Sequence, residues 1–303
     1  MSRRGATGLS GILLVDKPAG MTSHDVVARV RRATGEKRVG HAGTLDPMAT
    51  GLLVVLVGPA TRLAAYLTAA RKSYDARIVF GTETDTDDAE GDVMRTEPVP
   101  LELRSEEGAI AHVAALVGTH EQVPPAYSAI KRDGVTAHRA ARAGNELELE
   151  ARTVEVTDAV LLGVEPGPPL AWNVSLTVSK GTYVRAIARD LGRELGTAAH
   201  LGGLRRTASG DLPVSEARDL DDIEAAGPHV DTLFVPAVRA LGLPEVALPE
   251  HEAAAVANGR SVPVPPGTPA GTLAVTHGGR LLGVMRIHGD VLRPVTMIPG
   301  GAS

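Results

Sequence analysis

The order of apolar and polar positions divides the chain into short strands and helices of ordinary globular size. Gly11-Ile-Leu-Leu-Val-Asp16 is a compact apolar run ending at Lys17-Pro18-Ala19-Gly20, which reads as a buried strand entering a turn. A helix is predicted next: Ser23 stands at its N-cap, Val26, Val27 and Val30 form its apolar stripe, Arg29, Arg31 and Arg32 lie outside, and Gly35 ends it. Gly40 to Gly51 has neither a helical nor a strand period and reads as a long glycine-rich loop. Leu52-Leu-Val-Val-Leu-Val57 suits a strand buried on both faces. A helix from about Thr61, its cap, to Ala70 follows, and Ser73 to Phe80 alternates as a strand.

Further along, the pattern predicts a helix around Glu106 to Val117, paired strands at Thr153 to Leu162 and Ala171 to Val178, a helix from Tyr183 to Leu195 and a strand at Leu204 to Ser209. Arg185 and Arg189, four apart, share one face of that helix. Pro124 to Arg152 mixes Pro-Pro, Tyr127, Lys131, Arg132, Arg139 and Arg142 without a strong period, as an arm would. From Glu245 onward, short strands alternate with Pro/Gly turns, the pattern of a small β-barrel, which places a domain boundary near Leu243.

With 303 residues, a prior of about two domains applies. At 43% hydrophobic and 22% charged, the composition is that of a soluble globular protein, and no apolar run reaches the roughly 18 to 20 residues of a membrane span. Arg3 and Arg4 precede no apolar stretch with a cleavage site, so a cytoplasmic protein is expected. The absence of cysteine excludes disulfides, thiolate metal sites and cysteine nucleophiles, and the ten histidines include no HExxH pair, so no metal is expected. A net charge of −5 argues, on average, against a nucleic-acid partner. The average is misleading, because Met1 to Phe80 carries twelve Lys/Arg against five Asp/Glu and Lys180 to Arg206 six against two. Those stretches can form one positive face, while Gly81 to Glu107, with ten acids and two bases, stays in solvent. The acidic stretch is not an EF-hand: counted from Asp85, Glu90 replaces the glycine and Thr96 the terminal glutamate.

Three constellations can carry chemistry. Asp46 is a single carboxylate before Pro47, with Gly43 and Gly51 allowing close approach of a ligand; Asp-Pro is also ordinary turn chemistry, and local pattern leaves both readings open. Tyr74, Tyr127 and Tyr183 adjoin basic residues, as faces that stack RNA bases do, whereas Tyr66 beside Leu63 and Leu67 reads as core. Ser179-Lys180-Gly181-Thr182-Tyr183-Val184-Arg185 joins a strand end to a helix start and makes an anion site, without the order of a Walker A loop.

Taken in order, Gly11-Ile-Leu-Leu-Val-Asp-Lys-Pro18, Gly40-His-Ala-Gly-Thr-Leu-Asp46-Pro, Lys72-Ser-Tyr74, Thr82 to Gly91, Ser179 to Arg185 and Leu204-Arg-Arg-Thr207 resemble the TruB family of tRNA pseudouridine synthases over nearly all of residues 10 to 210. The resemblance implies an α+β catalytic domain with a central, largely antiparallel sheet over residues 1–243, an RNA-clamping insertion at about 124–152 that is poorly ordered without RNA, and a PUA-like β-barrel domain at 244–303. It implies a substrate, the T-loop uridine at position 55 of tRNA, with no cofactor, guide RNA or obligatory protein partner; a monomer is the default.

Residue by residue, the resemblance makes Asp46 the catalytic carboxylate and Arg185 the arginine that pairs with it and orients it. Tyr74 becomes the tyrosine that stacks on the base and deprotonates C5. Tyr183 and Leu204 become pocket-lining residues, and His41 the residue that fills the space of a flipped base. Arg62, where relatives often carry lysine, and Lys180 are expected to meet the RNA. A carboxylate can attack C1′, deprotonate C2′ or add to C6, and the sequence leaves the three open. An RNA-binding protein without activity, and a synthase acting on another RNA or through a guide RNA and accessory proteins, are the rival readings. A glycosidase would need a second acid near Asp46, which the sequence lacks.

Overall fold

The structure, a computed structural model, describes residues 7–303 apart from 129, 133, 134 and 146. These residues form two compact units, 7–70 with 207–303 and 71–206, and the boundary expected near Leu243 lies inside the first. The first unit opens with β1 (Gly11–Lys17), α1 (Ser23–Thr34), β2 (Val39–Ala42) and β3 (Thr50–Val57). β3 pairs antiparallel with both β1 and β2, Val55 standing opposite Leu13 on one and His41 on the other. Gly51 to Val57 are all buried, which is why this run shows no alternation.

Three expectations are corrected here. Thr22, not Ser23, caps α1: its hydroxyl accepts from the Asp25 N–H at 3.1 Å while the Asp25 carboxylate accepts from the Thr22 N–H at 2.9 Å, a closed capping box. The acid three residues beyond Thr22 decides between the two adjacent hydroxyls. The stretch Gly40 to Gly51 is also not one loop, since Gly40 to Ala42 complete β2 and Thr50 begins β3. Pairing with β3 extends β2 into a segment that has no strand pattern of its own. Beyond β3, a 3-10 turn at Gly58–Leu63 leads into α2 (Ala64–Ala69); Pro59 in its first turn starts the coil before the expected Thr61.

The second unit contains β4 (Lys72–Phe80), β5 (Thr82–Thr84), β6 (Val93–Thr96), α3 (Glu106–Ala115), β7 (Gly118–Gln122), β8 (Lys131–Arg132), β9 (Val135–Thr136), α4 (Ala137–Arg142), β10 (Arg152–Glu165), β11 (Ala171–Val178), α5 (Val184–Glu194) and most of β12 (Ala199–Ser209). Its sheet runs β12-β4-β11-β10-β7, with antiparallel ladders from β4 through β7. Trp172, the chain's single tryptophan, is fully buried in it, donates from Nε1 to the Leu103 carbonyl at 2.9 Å and packs edge-on to Phe80. Between Pro124 and Arg152 the described residues form the β8–β9 ladder and α4; the order expected of residues 129, 133, 134 and 146 lies outside the described residues.

The chain then returns to the first unit with β13 (Leu212–Pro213), α6 (Leu220–Ala226), α7 (Ala237–Leu241), β14 (Glu245–Ala247), α8 (Glu250–Ala257), β15 (Val262–Pro263), β16 (Thr272–His277), β17 (Arg280–His288) and β18 (Val291–Ala302). α6 lies beside α1, tied by the Arg29 guanidinium to Glu224 and Asp221. The last strands, expected as a small β-barrel, form a five-stranded curled sheet in the order β14-β16-β17-β18-β15. One set of its side chains, including Val246, Val256, Leu273 and Leu292, makes a core with α8. Another, including Ala274, Leu281, Val284 and Ile298, shares a core with Ile12, Leu14, Leu56 and Leu63, so the sheet is welded to the first strands of its own unit. The whole is the expected α+β class, and among the described residues no helix is long and apolar enough to cross a membrane.

Candidate active site

In the first unit, Asp46 sits in the loop 43–49 that joins β2 to β3 and is partly exposed. Gly43 and Gly51 flank the loop with φ of 92° and 95°, values that a residue with a Cβ rarely adopts. Both neighbours of Asp46 are held through their main chain. The Ser23 hydroxyl accepts from the Leu45 N–H at 2.9 Å and donates to the Leu45 carbonyl at 3.1 Å. The Pro47 carbonyl accepts from the Gly20 N–H at 2.9 Å and from the Lys17 ammonium at 3.2 Å. Lys17 is fully buried and also donates to the carbonyls of Pro18 and Met21 at 2.9 and 2.7 Å, so the ammonium staples the turn after β1 to the loop.

His41 lies on β2 and not, as expected, in a loop; its ring meets that of His24 edge-on at 5.5 Å. Arg62 is exposed in the 3-10 turn and donates to the Met297 carbonyl of β18 at 2.8 Å. Tyr66 packs against the core beside Leu63 and Leu67, as expected, and its hydroxyl meets Thr296 at 3.1 Å.

In the second unit, Tyr74 is buried on β4 opposite Leu176. Two residues before it, Lys72 is buried, and desolvation with the nearby charge of Arg206 pushes its ammonium down to about 8. Tyr183 occupies the N-cap position of α5, where the buried side chain of Gln122 grips it twice. Gln122 Oε1 accepts from the Tyr183 N–H at 2.9 Å, and Nε2 donates to the Tyr183 carbonyl at 3.1 Å. The Arg152 guanidinium lies 4.5 Å above the Tyr183 ring and donates to the Gly181 carbonyl. Lys180 is exposed in the turn before α5, where Gly181 takes a φ of 83°, and Leu204 is partly buried on β12.

Arg185, on the first turn of α5, is 5% exposed. It donates to the carbonyls of Thr86 at 2.8 Å and Tyr127 at 3.0 Å, with Asp88 at 3.4 Å. The same helix face continues the pattern. Arg189 meets Asp87 at 2.8 Å and the Val123 carbonyl at 2.8 Å, and Arg193 pairs with Glu83, which Arg95 also reaches at 3.2 Å. The acidic stretch expected to stay in solvent thus supplies a ladder of partners for arginines spaced four residues apart. Burial pushes the Asp87 carboxyl up to about 6 against the pull of Arg189 and Arg185. Burial acts upward on Glu83 too, but Arg193 and Arg95 hold that carboxyl below its ordinary value.

The sequence reading missed Gln122 and this ladder. A lone glutamine carries no signal, but the spacing of Arg185, Arg189 and Arg193 together with Glu83, Asp87 and Asp88 does. A cavity of about 230 Å³ bounded by His112, Leu116, Gln122, Val154, Ile187 and Asp190 holds none of the predicted site residues. Among the described residues no cluster of three or more His, Asp or Glu is arranged to hold a metal ion.

Comparison with known proteins converges on one family. Residues 31–184 match the TruB family pseudouridylate synthase N-terminal domain, 185–237 the tRNA pseudouridylate synthase B C-terminal domain, and 244–298 the C-terminal domain of pseudouridine synthase II TruB. The chain is 42% identical over 299 residues to tRNA pseudouridine synthase B of Leifsonia xyli subsp. xyli, covering 96% of this chain and 97% of that one. It is 44% identical over 302 residues to the protein of the same name from Mycobacterium tuberculosis, covering 97% and 99%. Among solved structures, a chain in a Cbf5-Nop10-Gar1 complex is 26% identical with a TM-score of 0.71, covering 95% of this chain and 84% of that one, so the likeness extends to the fold.

Proposed function

The chain belongs to the TruB family of pseudouridine synthases and isomerises uridine in tRNA; we propose that its target is the uridine at position 55 in the T loop, reached by flipping the base out of the stack. In this reaction the C1′–N1 bond breaks, the base turns, C5 bonds to C1′, and the proton lost from C5 is matched by one gained at N1. Nothing is oxidised or hydrolysed, so one carboxylate suffices and no cofactor is called for.

Asp46 is that carboxylate. The observation that supports it is the build of its loop: Leu45 and Pro47 are tied by the buried Ser23 hydroxyl and Lys17 ammonium, and Asp46 between them stays partly exposed. Such a loop holds a reactive group at a defined position without covering it. Tyr74 stacks on the base and serves the late deprotonation of C5, Arg185 is the orienting arginine, and Tyr183 and Leu204 line the uridine pocket. His41 takes the vacated place of the base, which offsets part of an extrusion cost of a few kcal/mol. Arg62 and Lys180 meet the RNA backbone.

Residues 1–243 form the catalytic part and 244–303 a PUA-like RNA-binding domain. The enzyme works as a monomer in the cytoplasm, without guide RNA or a protein partner. The test is pseudouridine formation in an unmodified T-arm stem-loop by the purified chain, mapped by position, beside Asp46→Asn. Product at the T-loop uridine with the wild type alone is expected. Binding of the stem-loop with no product would refute the T-loop assignment, and full turnover by Asp46→Asn would refute the catalytic one.

A further inference from the structure

Capping of α1 by Thr22 leaves the hydroxyl of Ser23 with another task. A serine in the first turn of a helix ordinarily gives its oxygen to one of the free N–H groups of that turn. Here the Thr22–Asp25 box closes the helix end, and Ser23, 1% exposed, directs its hydroxyl at Leu45. One oxygen satisfies both main-chain groups of that residue, accepting from its N–H at 2.9 Å and donating to its carbonyl at 3.1 Å. The Leu45 carbonyl lies in the peptide plane that also carries the Asp46 N–H, so this bond sets the direction in which the chain enters Asp46. The Leu45 side chain, 3% exposed, prevents the residue from swinging outward, and Pro47 is tied on the far side by Gly20 and Lys17.

We propose that Ser23 is a positioning residue for Asp46: its hydroxyl fixes the peptide plane ahead of the carboxylate and thereby sets where the carboxylate meets the uridine. The proposal rests on the reading of Asp46 as the catalytic carboxylate. Ser23 has no contact with the reacting atoms to make; it acts on geometry alone. The signature is therefore a slower chemical step with RNA binding preserved.

The experiment compares Ser23→Ala with Thr34→Ala, which removes another buried hydroxyl of α1, the one that donates to the Val30 carbonyl at 2.8 Å at the far end of the helix. Single-turnover pseudouridine formation on the T-arm stem-loop at saturating enzyme is measured with RNA affinity and folded fraction. Ser23→Ala is expected to slow the saturated step roughly 10- to 100-fold, because small misplacements of a reacting group cost that much, with affinity within about twofold of wild type. Thr34→Ala is expected to keep the wild-type rate. Ser23→Cys, similar in size with a weaker donor, is expected to lie between, and it carries the test per folded molecule if the alanine variant does not fold. A rate within about twofold of wild type for either Ser23 variant, an equal loss in Thr34→Ala, or a loss confined to affinity overturns the proposal. Asp46→Asn, measured alongside, separates the two ideas: if it retains turnover, the catalytic reading itself has failed.

Discussion

Asp87→Asn changes one buried charge, and the structure sets the direction of the resulting change in pH-dependent stability. Asp87 is 6% exposed and has a φ of 60°, a left-handed conformation that Asn adopts as readily as Asp, so the main-chain bond from the Leu201 N–H at 3.0 Å is kept. Burial raises the carboxyl from its ordinary 3.8 to about 6, with Arg189 and Arg185 pulling the other way. The folded protein therefore holds the Asp87 proton more tightly than the unfolded chain does. Between pH 3.8 and about 6 the folded state binds more protons, and stability must fall as pH rises through that window. At ~1.36 kcal/mol per pH unit, the window is worth about 3 kcal/mol. Asparagine does not titrate. The stability of Asp87→Asn relative to wild type should thus climb by about 2 kcal/mol from pH 4 to pH 6.5, the larger part of that window, and level off above about pH 7. Exchanging a protonated carboxyl for an amide adds a constant that leaves the slope unchanged. Urea denaturation followed by the fluorescence of Trp172, fully buried in the same unit, reports the quantity directly. A difference that is flat with pH would mean that the arginines balance burial at this site, and one that falls as pH rises that they outweigh it.

Two further predictions concern the seating of α5. Gln122→Ala leaves the Tyr183 N–H without its partner, while the Tyr183 carbonyl keeps the helical bond from the Ile187 N–H at 3.2 Å, and should destabilise the second unit by about 1 to 3 kcal/mol in the same urea assay; a loss below about 0.5 kcal/mol would show that water replaces the side chain. Gly192→Ala would place a Cβ 2.6 Å from the Ala199 nitrogen, so α5 must shift off β12 at a cost of about 1 to 3 kcal/mol, read from the urea midpoint.

What could be read from the sequence depended on how local each determinant is. The run from Leu52 to Val57 announces a strand covered on both faces because its own hydropathy carries that information. β2 does not, since His41 and Ala42 become strand only by pairing with Val55 and Val54. The helix at Ser23–Thr34 is plain from Val26, Val27 and Val30, yet its cap was misplaced by one residue, because choosing between Thr22 and Ser23 needs the reciprocal bond from Asp25. The acidic stretch looked like solvated surface for a similar reason. Its partners on α5 lie about a hundred positions away, 102 for Asp87 with Arg189 and 110 for Glu83 with Arg193. Around Asp46 no local rule separates a turn from a site; the order of motifs along the chain does, through the family they share.

Main-chain groups take part in holding Asp46, Tyr183 and Arg185, and this has consequences for what the chain can vary. Ser23, Gly20 and Lys17 hold the peptide groups on either side of Asp46, and Gln122 holds those of Tyr183. Carbonyls of Thr86 and Tyr127 take the N–H groups of Arg185, and an uncharged acceptor satisfies a donor without carrying a net charge of its own. Although the Thr86 hydroxyl also donates to the Asp88 carboxylate at 2.6 Å, any residue offers a carbonyl, so the acceptor of such a bond tolerates exchange as far as the bond is concerned. The holder does not: Ser23 must offer one atom that both accepts and donates, and Gln122 an amide that does the same across two atoms. Alanine can do neither, and a carboxylate only accepts. The chemical specificity of these parts of the fold therefore resides in the buried residues Ser23 and Gln122.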